Sequence, residues 1–218
     1  MSKKDSVETL LLSEKLLPLF YSDDVDVSKN VLRALYHGGV RILEYTNRGD
    51  HALKNFAQLR SLTDAELPGL QLGIGTIKTA SQAGSFIEAG ADFIVAPNIN
   101  PEVGELTHKA GLLWIPGCMT PTEVSVAEAS GAGIVKIFPG NILGPAYISS
   151  IKELFSKLKF IVTGGVEPEA NNLSEWFKSG VVGVGMGSKL ITKDIIANND
   201  YKKLTSDTMN TLQLIKAH

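Results

Sequence analysis

Lys136 stands in the stretch GIVKIFPGN (133–141), inside a run from Ile134 to Phe138 that reads as a buried β-strand. Ile134, Lys136 and Phe138 share one face of that strand, and Val135 and Ile137 the other. Both faces are therefore apolar apart from the ammonium group. A buried, unpaired ammonium is costly, and it is relieved by a lowered pKa or by a partner. A lowered pKa supplies a neutral amine near neutral pH, and a neutral amine adds to a ketone to form a Schiff base. The competing reading is a rim lysine whose stem is buried and whose head reaches water. Glu44, in VRILEYTNR, has the parity of Ile42 and Thr46. It is a partner for Lys136, a general acid/base, or a member of a structural ion pair.

Other strand ends are polar too. Thr76 closes LQLGIGT on the face of Leu72 and Ile74, and Thr163 shares a face with Ile161 in FIVTGG. One carboxylate, one ammonium and two hydroxyls thus converge at strand C-termini. Arg48, in TNRGD, either grips a carboxylate with its planar fork or is a solvated loop residue. The runs TGGV (163–166) and GVGMGS (183–188) offer Gly164, Gly165, Gly187 and Ser188 as backbone donors for an anion, or as ordinary turn residues. Ser188 reads as the N-cap of a short helix, SKLIT. The spacing in GVGMGS is not a dinucleotide fingerprint, since no following strand or ribose-binding acid lies at the required distance.

These residues need a scaffold that brings strand ends together. Apolar runs closed by Gly or Pro occur at 16–20, 40–46, 70–76, 91–97, 112–116, 133–138, 160–165 and 181–187, with starts roughly 20 to 30 residues apart. Between them lie helical patterns, such as 27–39, 79–91 and 120–133. In the last of these, Thr120, Pro121 and Glu123 predict a capping box with proline at the first helical position. Near-continuous hydrophobic strands alternating with helices imply a parallel sheet. Eight units imply a single-domain (β/α)₈ TIM barrel over residues 1–218, with an additional N-terminal helix at 1–14 packing on it. An open doubly wound sheet is the alternative.

Composition bounds the function. The chain has 218 residues, 44% hydrophobic and 20% charged, with net charge −2. There is no basic footprint for nucleic acid, and no apolar run of membrane-spanning length. Glu8, Ser13 and Glu14 interrupt any signal-peptide core. The single cysteine, Cys118, permits no internal disulfide, which suits a cytoplasmic location. It could line the mouth of the site, without features of an activated thiolate. Asp23, Asp24 and Asp26 lack the rest of a calcium loop. The four histidines form no ligand spacing and read as surface residues, and no metal or cofactor is expected. The stretch 201–218 reads as a packing helix.

Taken in order and spacing, GGVRILEYTNR, GIGT, IPGCMTPTE, VKIFPG, TGGV and VGMGS resemble the 2-keto-3-deoxy-6-phosphogluconate aldolase family, which includes 4-hydroxy-2-oxoglutarate and 2-keto-3-deoxy-6-phosphogalactonate aldolases. The resemblance covers about residues 15 to 200. It implies a metal-free class I aldolase on a trimeric barrel. Lys136 would carry the Schiff base and Glu44 would be the general acid/base. Arg48 and Thr76 would hold the substrate carboxylate, while Pro97 and Phe138 would shape the space around the imine. Gly164, Gly165, Gly187 and Ser188 would take the distal phosphate, and Thr163 would also contact the substrate. The substrate would be a phosphorylated 2-keto-3-deoxy sugar acid, with pyruvate as product and no nucleic-acid or membrane partner. Cleavage of 4-hydroxy-2-oxoglutarate to pyruvate and glyoxylate is a further expected activity. Ala96-Pro97-Asn98, Val162 before Thr163, and Lys189 after Ser188 depart from the family's usual pattern. The alternatives are a galactonate-type aldolase, a phosphosugar isomerase without a covalent intermediate, and a non-catalytic binding barrel.

Overall fold

In a computed structural model, which describes residues 2–218, nine parallel strand segments run in the order β5-β4-β3-β2-β1-β9-β8-β7-β6. They are β1 (Leu16–Phe20), β2 (Ile42–Thr46), β3 (Gln71–Gly75), β4 (Phe93–Val95), β5 (Leu113–Ile115), β6 (Gly117–Cys118), β7 (Ile134–Ile137), β8 (Lys159–Thr163) and β9 (Gly183–Met186). The two ends of that order, β5 and β6, are halves of one strand interrupted at Pro116. Proline has no N–H to give a ladder, but its carbonyl still accepts from the Lys136 N–H at 2.8 Å. The lower half pairs with β4 and the upper half with β7. The sheet therefore closes as a barrel of eight strands, and the open-sheet alternative is excluded.

α1 (Lys3–Glu14) precedes the barrel, and the other helices cover its outside: α2 (Val25–His37), α3 (Ala52–Glu66), α4 (Ala80–Glu88), α5 (Pro101–Lys109), α6 (Pro121–Ala129), α7 (Gly140–Ile151), α8 (Ala170–Ser179), α9 (Lys193–Ala197) and α10 (Tyr201–Ile215). Their starts follow capping chemistry. Asp24 accepts from Asp26 N and Val27 N and so caps α2. Thr120 and Glu123 form the expected reciprocal box, with Pro121 at the first turn. No described helix is long and apolar enough to cross a membrane.

Two apolar layers result. Inside the barrel, Leu17, Ile42, Phe93, Val95, Ile134 and Ile161 pack with Val7 and Leu11 of α1. The N-terminal helix thus plugs one end and leaves the other for a site. Outside, Leu43, Tyr45, Leu72, Ile74, Val135, Ile137 and Val162 meet the helices. These sets assign parity strand by strand. On β2, β7 and β8 the inward residues are those read from sequence: Ile42–Glu44–Thr46, Ile134–Lys136 and Ile161–Thr163.

On β3 the parity is the reverse of the expectation. Leu72 and Ile74 lie in the outer layer, so Gly73 and Gly75 face inward. A Cβ on Gly73 would stand 2.5 Å from Phe93 Cδ2, and one on Gly75 would overlap the Glu44 carboxylate. Thr76 does not continue the face of Ile74. It turns out of the strand at φ 62°, a left-handed conformation costing about 1–2 kcal/mol for an L-residue. Hydrogen bonds hold the turn on both sides, from Asn47 N to Gly75 O (2.9 Å) and from Ile77 N to Val95 O (3.3 Å).

The stretch SKLIT, expected as a helix, is a turn. Leu190 N and Ile191 N both return to Gly187 O, at 3.0 and 2.9 Å, making a turn. The helix begins only at Lys193, capped by Thr192, and Ser188 caps nothing.

Candidate active site

Lys136 and Glu44 are both interior, 5% and 2% exposed, so the rim reading of the lysine falls. Lys136 lies in register with Gly117 on one side and Ile161 on the other. Glu44 lies between Leu19 and Gly73. The glutamate owes its space to Gly75, where a Cβ would overlap its carboxylate, while Gly73 makes room for the Phe93 ring.

Burial decides the electrostatics. It pushes the Glu44 carboxyl above its ordinary value, although the charges of Lys136 and Arg48 pull the other way. It draws the Lys136 amine below its ordinary value; Arg48 adds to this, and Glu44 opposes it. Glu44, Lys136 and Arg48 thus feel one another across the same space. Two inward-facing oxygens, Glu44 Oε2 and Thr163 Oγ1, are buried without a hydrogen-bond partner, a condition native interiors rarely tolerate unless a ligand or water completes them.

Other sequence-predicted residues surround this pair. The Phe138 ring centroid lies 5.4 Å from Lys136 Nζ. Pro97 follows β4, and its carbonyl packs against Gly117 so closely that a Cβ there would stand 2.5 Å away. Thr76 is half-buried at the end of β3.

A second group lines a cleft of about 600 Å³ that opens over β1, β8 and β9. Thr163, Gly164, Gly165, Gly187 and Ser188 line it, as does the exposed Arg48. Arg48 and Thr163 therefore link the cleft to the Lys136–Glu44 centre. Gly164 and Gly165 have φ of 95° and 74°, a turn only glycine adopts without strain. It packs against Gly140 and Asn141 at the start of α7, where a Cβ on Gly140 would stand 2.6 Å from Gly164 O.

Several residues of the site went unread in the sequence. Phe20, Tyr21, Ser22 and Lys193 line the cleft. Tyr21 donates to Asp23, and a Cβ on Gly49 would stand 2.7 Å from its ring, so Tyr21 backs the Arg48 loop. The alternate glycines of GIG and GVG were the available signal for the inward faces of β3 and β9. On β9, a Cβ on Gly185 would stand 3.3 Å from Thr163 Cβ and overlap its hydroxyl.

Cys118 does not reach the mouth of the site. It is buried in the outer layer, and burial pushes its thiol up to about 12, which removes it as a nucleophile. Of the histidines, His108 is half-buried, edge-on to Trp114 at 5.9 Å, and not a free surface residue. Among the described residues, no three His, Cys, Asp or Glu side chains group as metal ligands.

A buried amine of lowered pKa, a carboxyl that acts on it electrostatically and an adjoining cleft with glycine turns can form and resolve an imine on a keto acid. Comparison with known proteins leads the same way. The family model described as KDPG and KHG aldolase matches residues 7–206. The chain is 32% identical over 202 residues to the 2-dehydro-3-deoxy-phosphogluconate aldolase of Treponema pallidum (strain Nichols), covering 92% of this chain and 93% of that one. It is 37% identical over 131 residues to the 2-dehydro-3-deoxy-6-phosphogalactonate aldolase of Escherichia coli (strain K12), covering 60% and 63%. Among solved structures, a 4-hydroxy-2-oxoglutarate/2-dehydro-3-deoxyphosphogluconate aldolase superposes with a TM-score of 0.80 at 29% identity, over 97% of this chain and 98% of that one.

Proposed function

The chain belongs to the KDPG and KHG aldolase family and is a class I aldolase, a carbon–carbon lyase; from that premise we propose that it cleaves 2-keto-3-deoxy-6-phosphogluconate to pyruvate and glyceraldehyde 3-phosphate through an imine on Lys136. The observation that carries this is the interior position of Lys136, its amine drawn down by burial, with the Glu44 carboxyl and the Arg48 charge acting on it.

Lys136 Nζ adds to the C2 ketone, and the carbinolamine loses water to give a protonated imine. The imine is the electron sink. Glu44 accepts the proton of the C4 hydroxyl, the C3–C4 bond breaks, and its electron pair moves into the imine as the enamine forms. Glyceraldehyde 3-phosphate leaves as the aldehyde. The enamine takes a proton at C3, and water hydrolyses the imine to pyruvate and the free amine. Arg48 and Thr76 hold the C1 carboxylate, with the bidentate geometry that arginine offers. Pro97 and Phe138 bound the imine. Thr163, Gly164, Gly165, Gly187 and Ser188 receive the distal phosphate through backbone N–H groups and hydroxyls.

The unpaired oxygens of Glu44 and Thr163 support this reading, because a bound polar substrate completes them. The whole chain acts as one catalytic domain, in the cytoplasm and as a homotrimer. The shorter 4-hydroxy-2-oxoglutarate, cleaved to pyruvate and glyoxylate, fits the same C1–C4 machinery. The Escherichia coli relative named for galactonate is the specific reason to include the C4 epimer. The test is a coupled assay of pyruvate release from the gluconate substrate, its galactonate epimer and 4-hydroxy-2-oxoglutarate. The gluconate substrate is expected to have the largest kcat/KM; a larger value for the epimer overturns the assignment, and no pyruvate from any of the three overturns the reaction.

A further inference from the structure

The distal end of the cleft carries a feature that the imine chemistry does not use. Lys189, in the turn after β9, lines the cleft beside Gly187 and Ser188. Its Nζ lies 2.5 Å from Glu167 Oε1, in the loop after β8. The ion pair thus spans the two loops whose glycines flank the phosphate position. The glutamate side is pinned, since Glu167 N donates to Asn172 Oδ1 at 2.9 Å. The lysine sits on a turn closed by Leu190 N and Ile191 N on Gly187 O. The lysine side chain is 58% exposed and the glutamate 35%, so the pair is weakly held and screened.

We propose that Glu167 and Lys189 form a charge latch, in which Lys189 is exchanged from Glu167 to the terminal phosphate of the substrate, so that the pair sets the preference for phosphorylated over unphosphorylated substrates. The inference rests on the aldolase reading for the identity of that substrate. A phosphate monoester carries more charge than a carboxylate and three acceptor oxygens, so it competes well for one half-exposed ammonium. Exchange swaps one solvent-screened pair for another of higher charge, without burying a new ion. Lys193 and Arg48 also line the cleft and add standing positive charge. A substrate that ends at C5 leaves the latch closed and Lys189 on Glu167. Glu167 is then a competitor built into the site: its carboxylate lowers the affinity for phosphate, and its removal raises it. Both residues are positioning groups for specificity, remote from the C3–C4 bond.

The test combines kinetics with a binding probe that needs no turnover. Steady-state cleavage of 2-keto-3-deoxy-6-phosphogluconate and of 4-hydroxy-2-oxoglutarate is compared for the native protein, Lys189→Ala, Glu167→Gln and the double variant. Binding of glycerol 3-phosphate is measured calorimetrically on the same four. Lys189→Ala is expected to raise KM for the phosphorylated substrate, and Kd for glycerol 3-phosphate, about 5- to 10-fold, with kcat within about twofold. Glu167→Gln is expected to lower both about 2- to 5-fold. The double variant matches Lys189→Ala, because Glu167 acts only through the lysine, and 4-hydroxy-2-oxoglutarate is indifferent to all three. Equal shifts for both substrates, unchanged glycerol 3-phosphate binding in Lys189→Ala, or weaker binding in Glu167→Gln overturn the latch. If neither keto acid is cleaved, the aldolase reading fails, and the glycerol 3-phosphate series still decides the latch on its own.

Discussion

Gly75→Ala is the substitution that most sharply tests how Glu44 is held. Gly75 is the last residue of β3, paired with Thr46, and its φ lies outside the left-handed region, so alanine costs nothing in backbone conformation. The added methyl is another matter. Its Cβ would stand 2.8 Å from Glu44 Cγ and overlap Oε1. Ordinary carbon contact is about 3.5–4.0 Å, so the carboxylate must retreat by more than ~1 Å, since β3 is fixed by pairing on both edges. Overpacking of this kind costs about 1–3 kcal/mol. For a chain of this size each kcal/mol lowers Tm by about 2–4 °C, so the variant stays folded at 25 °C. A misplacement of ~1 Å at a catalytic group costs about 100-fold in rate. We therefore expect kcat for cleavage to fall about 100-fold, with pyruvate still captured on Lys136 by borohydride, because imine formation uses the lysine and not the displaced carboxylate. Circular dichroism and a melting curve accompany the assay. A folded Gly75→Ala protein with kcat within threefold of the native value refutes the reasoning: Glu44 would then have no role that depends on its position.

Other outcomes follow from the same geometry. Lys136→Met removes the proposed nucleophile, and turnover is expected to fall by more than ~1,000-fold with the fold intact, read by the coupled pyruvate assay. The rate of imine formation rises with pH as the Lys136 amine loses its proton. Because that amine is held below the ordinary lysine value by burial and, in smaller part, by the Arg48 charge, Arg48→Gln is expected to move the rising limb to higher pH; a shift downward contradicts the charge assignment. Leu11→Ala empties a fully buried position in the barrel plug and is expected to cost about 2–5 kcal/mol in denaturant unfolding. The activity of the folded fraction should be unchanged, since the plug closes the end remote from Lys136.

The buried Lys136–Glu44 pair was legible because a charged residue inside an apolar strand is a conspicuous exception to burial. Lys136 and Glu44 were assigned their faces from parity alone, and β7 and β2 carry them there. Parity failed on β3 for a physical reason. Both faces of a barrel strand are buried, so Leu72 and Ile74 were equally acceptable on either side, and the inward face was marked by glycine instead of by hydrophobicity. What places Gly73 and Gly75 inside is the volume of Phe93 and Glu44 on neighbouring strands, which is tertiary information. The helix expected at SKLIT failed similarly. Ser188 is a good capping residue, but the chain turns back on Gly187 O and Thr192 takes the cap. The split of β5 and β6 at Pro116 was half visible, since the proline closed the expected run at 112–116, while its pairing with different neighbours above and below was not. The cleft residues Tyr21 and Lys193 carried no local signal, because each becomes part of a site only when β1, β8 and β9 are side by side.

Incubation with pyruvate, reduction with borohydride and peptide mapping by mass spectrometry is the most direct test of the covalent step. The account predicts a single pyruvate-derived adduct on the peptide that holds Lys136, absent from Lys136→Met. An adduct on another lysine, or none at saturating pyruvate, contradicts it.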